Sequence, residues 1–296
     1  RRQRQMCIRD RGYSALPYPD YIVSVWLFYL QRKLIITKMI YLSFDIEEFD
    51  MPKEYGYDID FQRQIAISRQ GLISILNILK KHNAKATFFS TVVFAQQVPD
   101  LIERLISEGH ELASHTYYHS DFENEHLKMS KEALENQFNV EIKGLRMPRM
   151  REVDSEEVKK AGFEYNSSVN PTLLPGRYNK LHVSKRFFNE NGLWQIPTAV
   201  SWFRIPLFWL SFHNFPLWIY EFLLAKCVKS TGYAALYFHP WEFTDLHQKE
   251  FNFPAYVMRN SGKKMIQRFD ELLKFINEKG WKTGLYRDLI QNESKK

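Results

Sequence analysis

The chain has 296 residues, of which 45% are hydrophobic, 16% aromatic and 25% charged. This composition excludes a disordered chain, a collagen-like repeat and a small disulfide-stapled protein, and it predicts a core of ordinary size. The formal net charge of +7 would favour an anionic partner such as nucleic acid only if the positive charge were spread through the fold.

The positive charge is concentrated in residues 1–38, which hold eight Lys or Arg and two acidic residues and therefore +6 of the total. This segment has no apolar periodicity, and its apolar run is shorter than the roughly 18 residues that argue for a membrane span. It resembles translated sequencing-adapter read-through, and we expect it to be non-native or disordered, with Met39 as the true start. A signal peptide is disfavoured because no small-residue cleavage site follows.

The remaining 258 residues carry a net charge of only +1, which disfavours nucleic-acid binding. The two cysteines, Cys7 and Cys227, indicate no disulfide, in agreement with a reducing compartment. We therefore expect a bacterial cytoplasmic protein. The sequence leaves its oligomeric state open.

From Met39 onward, short apolar runs alternate with segments of helical period, a pattern typical of β/α units. Amphipathic helices are predicted around 72–79 and 265–276, and the Asn-, Pro- and Gly-rich stretch 169–192 predicts a long loop. Because no repeat or linker interrupts 39–296, we predict one α/β domain, a distorted (β/α) barrel. The predicted strands are 39–45, 86–91, 111–114, 143–146, 164–168, 193–197, 234–238 and 282–286.

Acidic side chains follow the first predicted strand, in the segment SFDIEEFD. Asp45 and Glu47 are two residues apart, which on an extended chain places both carboxylates on the same side. The segment is a candidate catalytic cluster, although a solvated strand end would have the same composition.

Two histidines follow the predicted strand 111–114, in the segment GHELASHTYYHSD. His115 and His119 are four residues apart, so one helical turn would bring both imidazoles, which are favoured zinc ligands, to one face. Surface or core histidines can have the same spacing. A carboxylate from a neighbouring strand would complete a site with open positions for water and substrate.

A third cluster, YFHPWEF, follows the apolar run AALYF, and Arg146 ends another predicted strand. Pro240 favours an extended backbone at His239, so the strand should deliver this ring at its carboxyl end. Arg146 could orient a carboxylate through two hydrogen bonds or form an ordinary surface ion pair. The carboxyl ends of strands are where β/α barrels place their chemistry, so these clusters should meet.

Taken in order, these segments resemble the polysaccharide deacetylases of carbohydrate esterase family 4, with the nodulation-deacetylase homology domain. SFDIEE stands where that family has a T-F-D-D block, SHTYYH resembles its H-[ST]-x-x-x-H metal block up to register, LRMP its R-x-P block, and YFH its late L-x-H block. The resemblance covers the chain from Met39 to its C-terminus, and the two spaced histidines are its most specific part.

The resemblance implies a role for each of these residues. Asp45 would be the catalytic base, Arg146 its orienter, and His239 the general acid. His115 and His119 would bind one divalent metal ion, with Zn²⁺ favoured and Co²⁺ or Ni²⁺ as alternatives.

The sequence departs from the family pattern at Ile46, which stands where a second Asp normally ligates the metal. The acid two residues after the base, Glu47, is therefore the predicted third ligand, with Glu48 as the fallback. The family's D-x-x-D-W block is not recognisable, so the carboxylate partner of His239 is unassigned; Trp194 is a candidate for its tryptophan. The further candidates for substrate contact are Arg149, Arg177, Tyr178 and Trp241. The backbone N–H of Arg149 could serve an oxyanion.

The implied function is a metal-dependent hydrolase that removes an N-acyl group from an amino sugar of a polysaccharide or glycan precursor. Two alternatives stay open: deformylation or deacetylation of a lipid-linked sugar at the membrane surface, and a non-catalytic carbohydrate-binding protein on the same fold. The first rests on the stretch 202–226, which is rich in aromatic and aliphatic residues. This stretch is either a buried helix with a loop over the barrel mouth or a peripheral contact at the inner face of the membrane.

Overall fold

The structure, a computed structural model, describes residues 38–174 and 178–294. Its strands are β1 Met39–Ile46, β2 Ala86–Ser90, β3 Glu111–Ser114, β4 Gly144–Leu145, β5 Tyr165–Asn166, β6 Leu173–Leu174, β7 Tyr178–Asn179, β8 Phe188–Glu190, β9 Leu193–Gln195, β10 Tyr233–Phe238 and β11 Lys282–Thr283. Its α-helices are α1 Phe61–Lys81, α2 Val92–Gln97, α3 Pro99–Ser107, α4 Glu125–Phe138, α5 Ser155–Lys160, α6 Trp209–Asn214, α7 Leu217–Thr231, α8 Ala255–Met258, α9 Lys263–Glu278 and α10 Tyr286–Ser294.

The main sheet runs in the order β10-β1-β2-β3-β4-β5-β9-β8, and β11 also pairs with β1. All pairings are parallel except that of β8 with β9. Beyond β9, the N–H of Ala199 donates to the carbonyl of Ala235 in β10 (2.8 Å), which links the two ends of the curled sheet. The predicted distorted barrel is therefore confirmed.

The side chains of β1 point alternately to the two faces of the sheet. Ile40, Leu42, Phe44 and Ile46 pack in the large core between the sheet and its helices. The other face, which includes Met39 and Tyr41, lies inside the barrel, where α10 contributes Tyr286, Leu289 and Ile290 to a second cluster. Because side chains on a strand alternate, Asp45 belongs to this inner face.

Each of the eight predicted strands is present, with ends that differ by a few residues at most. Three short strands fall in the stretch predicted as a long loop, where β6 and β7 form a separate antiparallel pair and β8 adds an edge to the main sheet. Apart from Lys38, the predicted N-terminal segment 1–38 lies outside the described residues, so its nature stays a prediction. No helix among the described residues is long and apolar enough to cross a membrane.

Candidate active site and metal centre

The predicted acidic and histidine clusters meet at the carboxyl ends of β1, β3 and β10. β1 leads into Glu47, and β3 leads directly into His115. The Nε2 atoms of His115 and His119 each lie 3.1 Å from Oε2 of Glu47. These three buried side chains hold one possible ligand atom each within 4.8 Å of the others, as a metal centre requires.

The other ring nitrogen of each histidine has a fixed partner. Nδ1 of His115 donates to the carbonyl oxygen of Arg146 (2.8 Å), and Nδ1 of His119 donates to Oδ1 of Asp50 (2.8 Å). With Nδ1 as the donor, Nε2 directs its lone pair into the cluster whenever it carries no proton of its own, which is how protein partners prepare histidines to bind a metal.

The charged groups of the cluster shift one another's pKa values. Burial alone would raise the pKa of Glu47, but His119 and His115 hold it well below its ordinary value. Burial alone would lower the pKa of His119, but Glu47 and Asp50 raise it to about 10. A proton on His119 balances the carboxylates, and a divalent ion would take over this role when it displaces the proton.

The hydrogen bonds of Glu47 and Glu48 indicate which of the two carboxylates could bind a metal. Oε2 of Glu47 is buried and accepts no hydrogen bond of good geometry from any described residue. Glu48, the fallback ligand, turns away: its Oε2 accepts a hydrogen bond from Oγ1 of Thr91 (2.7 Å). Glu47 is therefore the carboxylate whose oxygen remains available to a cation.

Asp45 lies beside this cluster and pairs with Arg146. Nη1 of Arg146 donates to Oδ1 of Asp45 (2.6 Å), and Arg146 is fully buried at 0% exposure. The guanidinium is held by further hydrogen bonds to the carbonyl and hydroxyl oxygens of Ser167 (3.1 and 3.0 Å). This pairing fixes one oxygen of Asp45 and leaves Oδ2 facing His239, whose Nε2 is 3.9 Å away.

His239 is tied to a carboxylate that the sequence did not assign. Nδ1 of His239 donates to Oε1 of Glu242 (2.9 Å), which also accepts the backbone N–H of His239 (2.6 Å). The second oxygen of Glu242 accepts a hydrogen bond from Nε2 of His213 (3.0 Å). Burial alone would lower the pKa of His239, but Glu242, Glu47 and Asp45 together raise it, which favours the protonated ring.

Aromatic rings form the wall beside His239. Trp241 stacks on its imidazole with ring centroids 4.7 Å apart, and Trp209 meets it edge-on at 5.7 Å. Together with Tyr237 they line a cavity of about 150 Å³ that also contains Asp45 and the three possible metal ligands. The cavity thus combines polar groups at its base with an apolar wall, as is typical of small-molecule sites.

Two of the four candidates for substrate contact, Arg149 and Trp241, line the cavity. Arg149 lies at the cavity, pairs with Glu54 (2.6 Å), and has a positive φ of 56°. Trp241 lines the cavity but is only 3% exposed. Arg177 lies outside the described residues. Tyr178 lies in β7, and its side chain is outside the described part, so contact of either residue with substrate stays a prediction.

Three residues of the site were missed in the sequence. Glu242 follows His239 by three residues and is placed by the 3-10 helix Pro240–Phe243; its presence in the HPWE segment was the only available signal. Asp50 belongs to the first acidic cluster but carried no assignment. Trp209 lies in the stretch 202–226 and lines the cavity, whereas Trp194 packs on Phe187 away from the site.

The sequence of this chain is similar to those of known deacetylases. Residues 36–165 match the family model described as polysaccharide deacetylase. A peptidoglycan-N-acetylglucosamine deacetylase of Bacillus cereus is 38% identical over 125 residues, which is 38% of this chain and 46% of the relative. A peptidoglycan-N-acetylmuramic acid deacetylase of Bacillus subtilis is 29% identical over 137 residues, or 43% of this chain and 45% of the relative.

A solved structure has the same fold. The crystal structure described as a probable polysaccharide deacetylase of Pseudomonas aeruginosa PAO1 matches with a TM-score of 0.61 and 14% identity, over 86% of this chain and 91% of that chain. The chain spans less than half the length of the Bacillus cereus and Bacillus subtilis relatives.

Proposed function

We propose that this chain, which belongs to the polysaccharide deacetylase family, is a metal-dependent hydrolase that removes an N-acetyl group from an amino sugar of a polysaccharide. One observation carries the proposal: Glu47, His115 and His119 converge in the cavity that also holds Asp45 and His239. Peptidoglycan is a reasonable substrate, because the named relatives act on its two amino sugars.

Glu47, His115 and His119 would hold the ion, with Zn²⁺ favoured by this ligand set and Co²⁺ or Ni²⁺ as alternatives. When bound, such an ion lowers the pKa of a water molecule and polarises a carbonyl oxygen.

Asp45 would take a proton from the attacking water. Its Oδ1 is occupied by Arg146, so Oδ2 is the oxygen that faces the cavity. The buried guanidinium keeps this carboxylate oriented, and a fixed base needs no reorganisation during proton transfer.

His239 would protonate the amine as the C–N bond breaks. Its Nδ1 is bound to Glu242, so the acidic proton sits on Nε2, which faces Asp45 across the cavity. The raised pKa of His239, which Glu242, Glu47 and Asp45 cause against the effect of burial, favours the protonated form that a general acid needs. Without such an acid the amine would be a poor leaving group.

The acetyl carbonyl needs hydrogen-bond donors as negative charge develops on its oxygen. Arg149 lines the cavity and has a positive φ, and its backbone N–H is the candidate for one donor. Trp209 and Trp241 would pack against the apolar parts of the acetyl group and sugar.

A non-catalytic carbohydrate-binding protein is the competing function. It would not need a base and an acid that are each held by a buried charged partner, as Asp45 is by Arg146 and His239 by Glu242. Groups of this kind are costly to bury, and their presence favours catalysis over binding alone.

The test is acetate release from N-acetylated chitooligosaccharides and from peptidoglycan by the metal-loaded protein. We expect release by the wild type and a loss of about 10²–10⁴-fold in kcat for His239→Ala, with bound metal unchanged. Release by the wild type and His239→Ala at equal rates would show that His239 is not the acid. No release from either substrate by a folded, metal-loaded protein would favour the binding function.

A further inference from the structure

Four exposed aromatic side chains, which we call the aromatic surface, lie outside the cavity. Trp202, Phe203, Trp218 and Phe222 are 45%, 72%, 70% and 50% exposed. The ring of Trp202 contacts those of Phe203 (5.0 Å between centroids) and Phe222 (6.1 Å). Trp218 and Phe222 are four residues apart on α7 and therefore share a face of that helix. The rings of Trp202, Phe203 and Phe222 thus form one patch, which Trp218 extends along α7, and exposed apolar patches mark interaction sites.

Positive charges border the aromatic surface. Nζ of Lys226 lies 5.3 Å from the centroid of the Phe222 ring, and Lys229 is exposed one turn further along α7. Nζ of Lys185 donates to the carbonyl oxygen of Trp202 (3.0 Å), and the exposed Arg186 follows it in the chain. Within the part of the chain that the structure describes, none of these four cations pairs with a carboxylate.

Acidic residues do not offset these charges. α7 contains one, Glu221. Burial, and then the carboxylates Glu271 and Glu278 of α9, raise the pKa of Glu221, which disfavours its charged form. The surface is therefore aromatic at its centre and basic at its border.

We propose that the aromatic surface docks peripherally on a membrane that contains anionic lipids. Trp and Phe side chains favour the boundary between headgroups and acyl chains, and lysine or arginine side chains add attraction to anionic headgroups. The unpaired cations are what favour such a surface over a neutral glycan, which would offer them no charge. α7, with 15 residues, is too short to span the bilayer, so the contact is at its surface.

The aromatic surface and the cavity are linked through one segment of the chain. Trp202 and Phe203 precede α6, and α6 begins with Trp209, which lines the cavity beside His239. Docking would therefore hold the cavity near the lipid surface, where a glycan attached to a lipid would be presented. This consequence for the substrate rests on the proposed function, whereas the docking itself does not.

The test is flotation of the full 296-residue protein with vesicles of phosphatidylcholine alone and of phosphatidylcholine with phosphatidylglycerol. We expect binding to the anionic vesicles that weakens at high salt, and a loss of about tenfold in the bound fraction for Phe203→Ser/Trp218→Ser and for Lys226→Glu/Lys229→Glu. The control is Phe61→Ser/Met129→Ser, which removes two exposed apolar side chains elsewhere and should leave binding unchanged.

Unchanged binding in both surface variants would overturn the proposal, as would equal binding to neutral vesicles. A wild-type dimer that dissociates in the Phe203→Ser/Trp218→Ser variant would instead assign the surface to a second copy of the chain. Acetate release from soluble chitooligosaccharides, measured on the same samples, separates the two proposals. Docking without release contradicts only the proposed function, and release without docking contradicts only the membrane contact.

Discussion

Arg146 and Asp45 form an ion pair in the barrel interior, where Arg146 is 0% and Asp45 3% exposed. Removing one partner of such a pair leaves an uncompensated buried charge. We expect Arg146→Met to lower the free energy of unfolding by about 3–5 kcal/mol in urea denaturation. Arg151→Met, at an exposed arginine in the same segment, is the control and should change it by less than about 0.5 kcal/mol. A loss at position 146 no larger than the control's would mean that the pair contributes nothing to stability.

Glu242 controls the proton on His239. Burial lowers the pKa of His239, but the Glu242 carboxylate, with help from Glu47 and Asp45, raises it. A general acid works only while protonated, so the rate falls as pH rises through this pKa. Glu242→Gln removes the raising charge, and we expect the alkaline limb of kcat/KM to move to lower pH.

The measurement is the pH profile of acetate release for the wild type and Glu242→Gln. Glu164→Gln, at a surface residue that pairs with Lys143, is the matched control and should leave the profile in place. An alkaline limb at the same pH in Glu242→Gln and wild type would contradict the role of Glu242.

Some residues of the site could be predicted from the sequence, and others could not. Asp45, Glu47 and His115 could be placed because each stands at or just after the carboxyl end of an apolar run, and parallel strands bring such ends together. Glu242 could not, because its contact with His239 depends on a 3-10 turn whose side-chain geometry no apolar pattern encodes.

Helix α1 lies against the 3-10 helix that carries Glu242, and Gly71 is the point of closest approach. A Cβ at this position would lie 1.8 Å from the carbonyl oxygen of Pro240. Helix propensity alone would make Gly71→Ala stabilising by about 1 kcal/mol. The steric clash reverses this sign, since the backbone of the turn must move.

We therefore expect Gly71→Ala to destabilise the protein by about 1–3 kcal/mol and to lower kcat, because His239 and Glu242 move with Pro240. Thermal unfolding and acetate release measure the two effects. Gln70→Ala, at the exposed neighbouring position, is the control and should leave both unchanged. A more stable Gly71→Ala protein would show that propensity outweighs packing at this site.

Strands with long apolar runs could be predicted from the sequence, whereas strands of two or three residues in the stretch 169–192 could not. β1 and β10 are buried along almost their whole length, and such runs are distinct in sequence. β6, β7 and β8 have two or three residues each, which is too short for a period to be recognised. The stretch 202–226 illustrates the same limit, since it contains both a wall of the cavity and the aromatic surface.

The whole barrel is needed to assemble the site, because its residues lie at or just after the carboxyl ends of β1, β3, β4 and β10 and are far apart in the chain. A metal that binds only the assembled site stabilises the fold by mass action, by about 2.7 kcal/mol at a hundredfold excess over Kd. We expect Zn²⁺ to raise the Tm of the wild type and a chelator to lower it. The same additions should leave the Tm of His115→Ala unchanged; a shift as large as that of the wild type would place the bound ion elsewhere.

The proposed metal centre is tested most directly by the amount of metal bound per chain, measured by plasma mass spectrometry on purified protein after reconstitution with Zn²⁺, Co²⁺ or Ni²⁺. We expect about one ion per chain in the wild type and almost none in Glu47→Ala or His115→Ala. Glu48→Ala, at the carboxylate that bonds to Thr91 instead, should keep its ion. A folded wild type without metal, or a Glu47→Ala variant that binds as much as the wild type, would contradict the proposed metal centre.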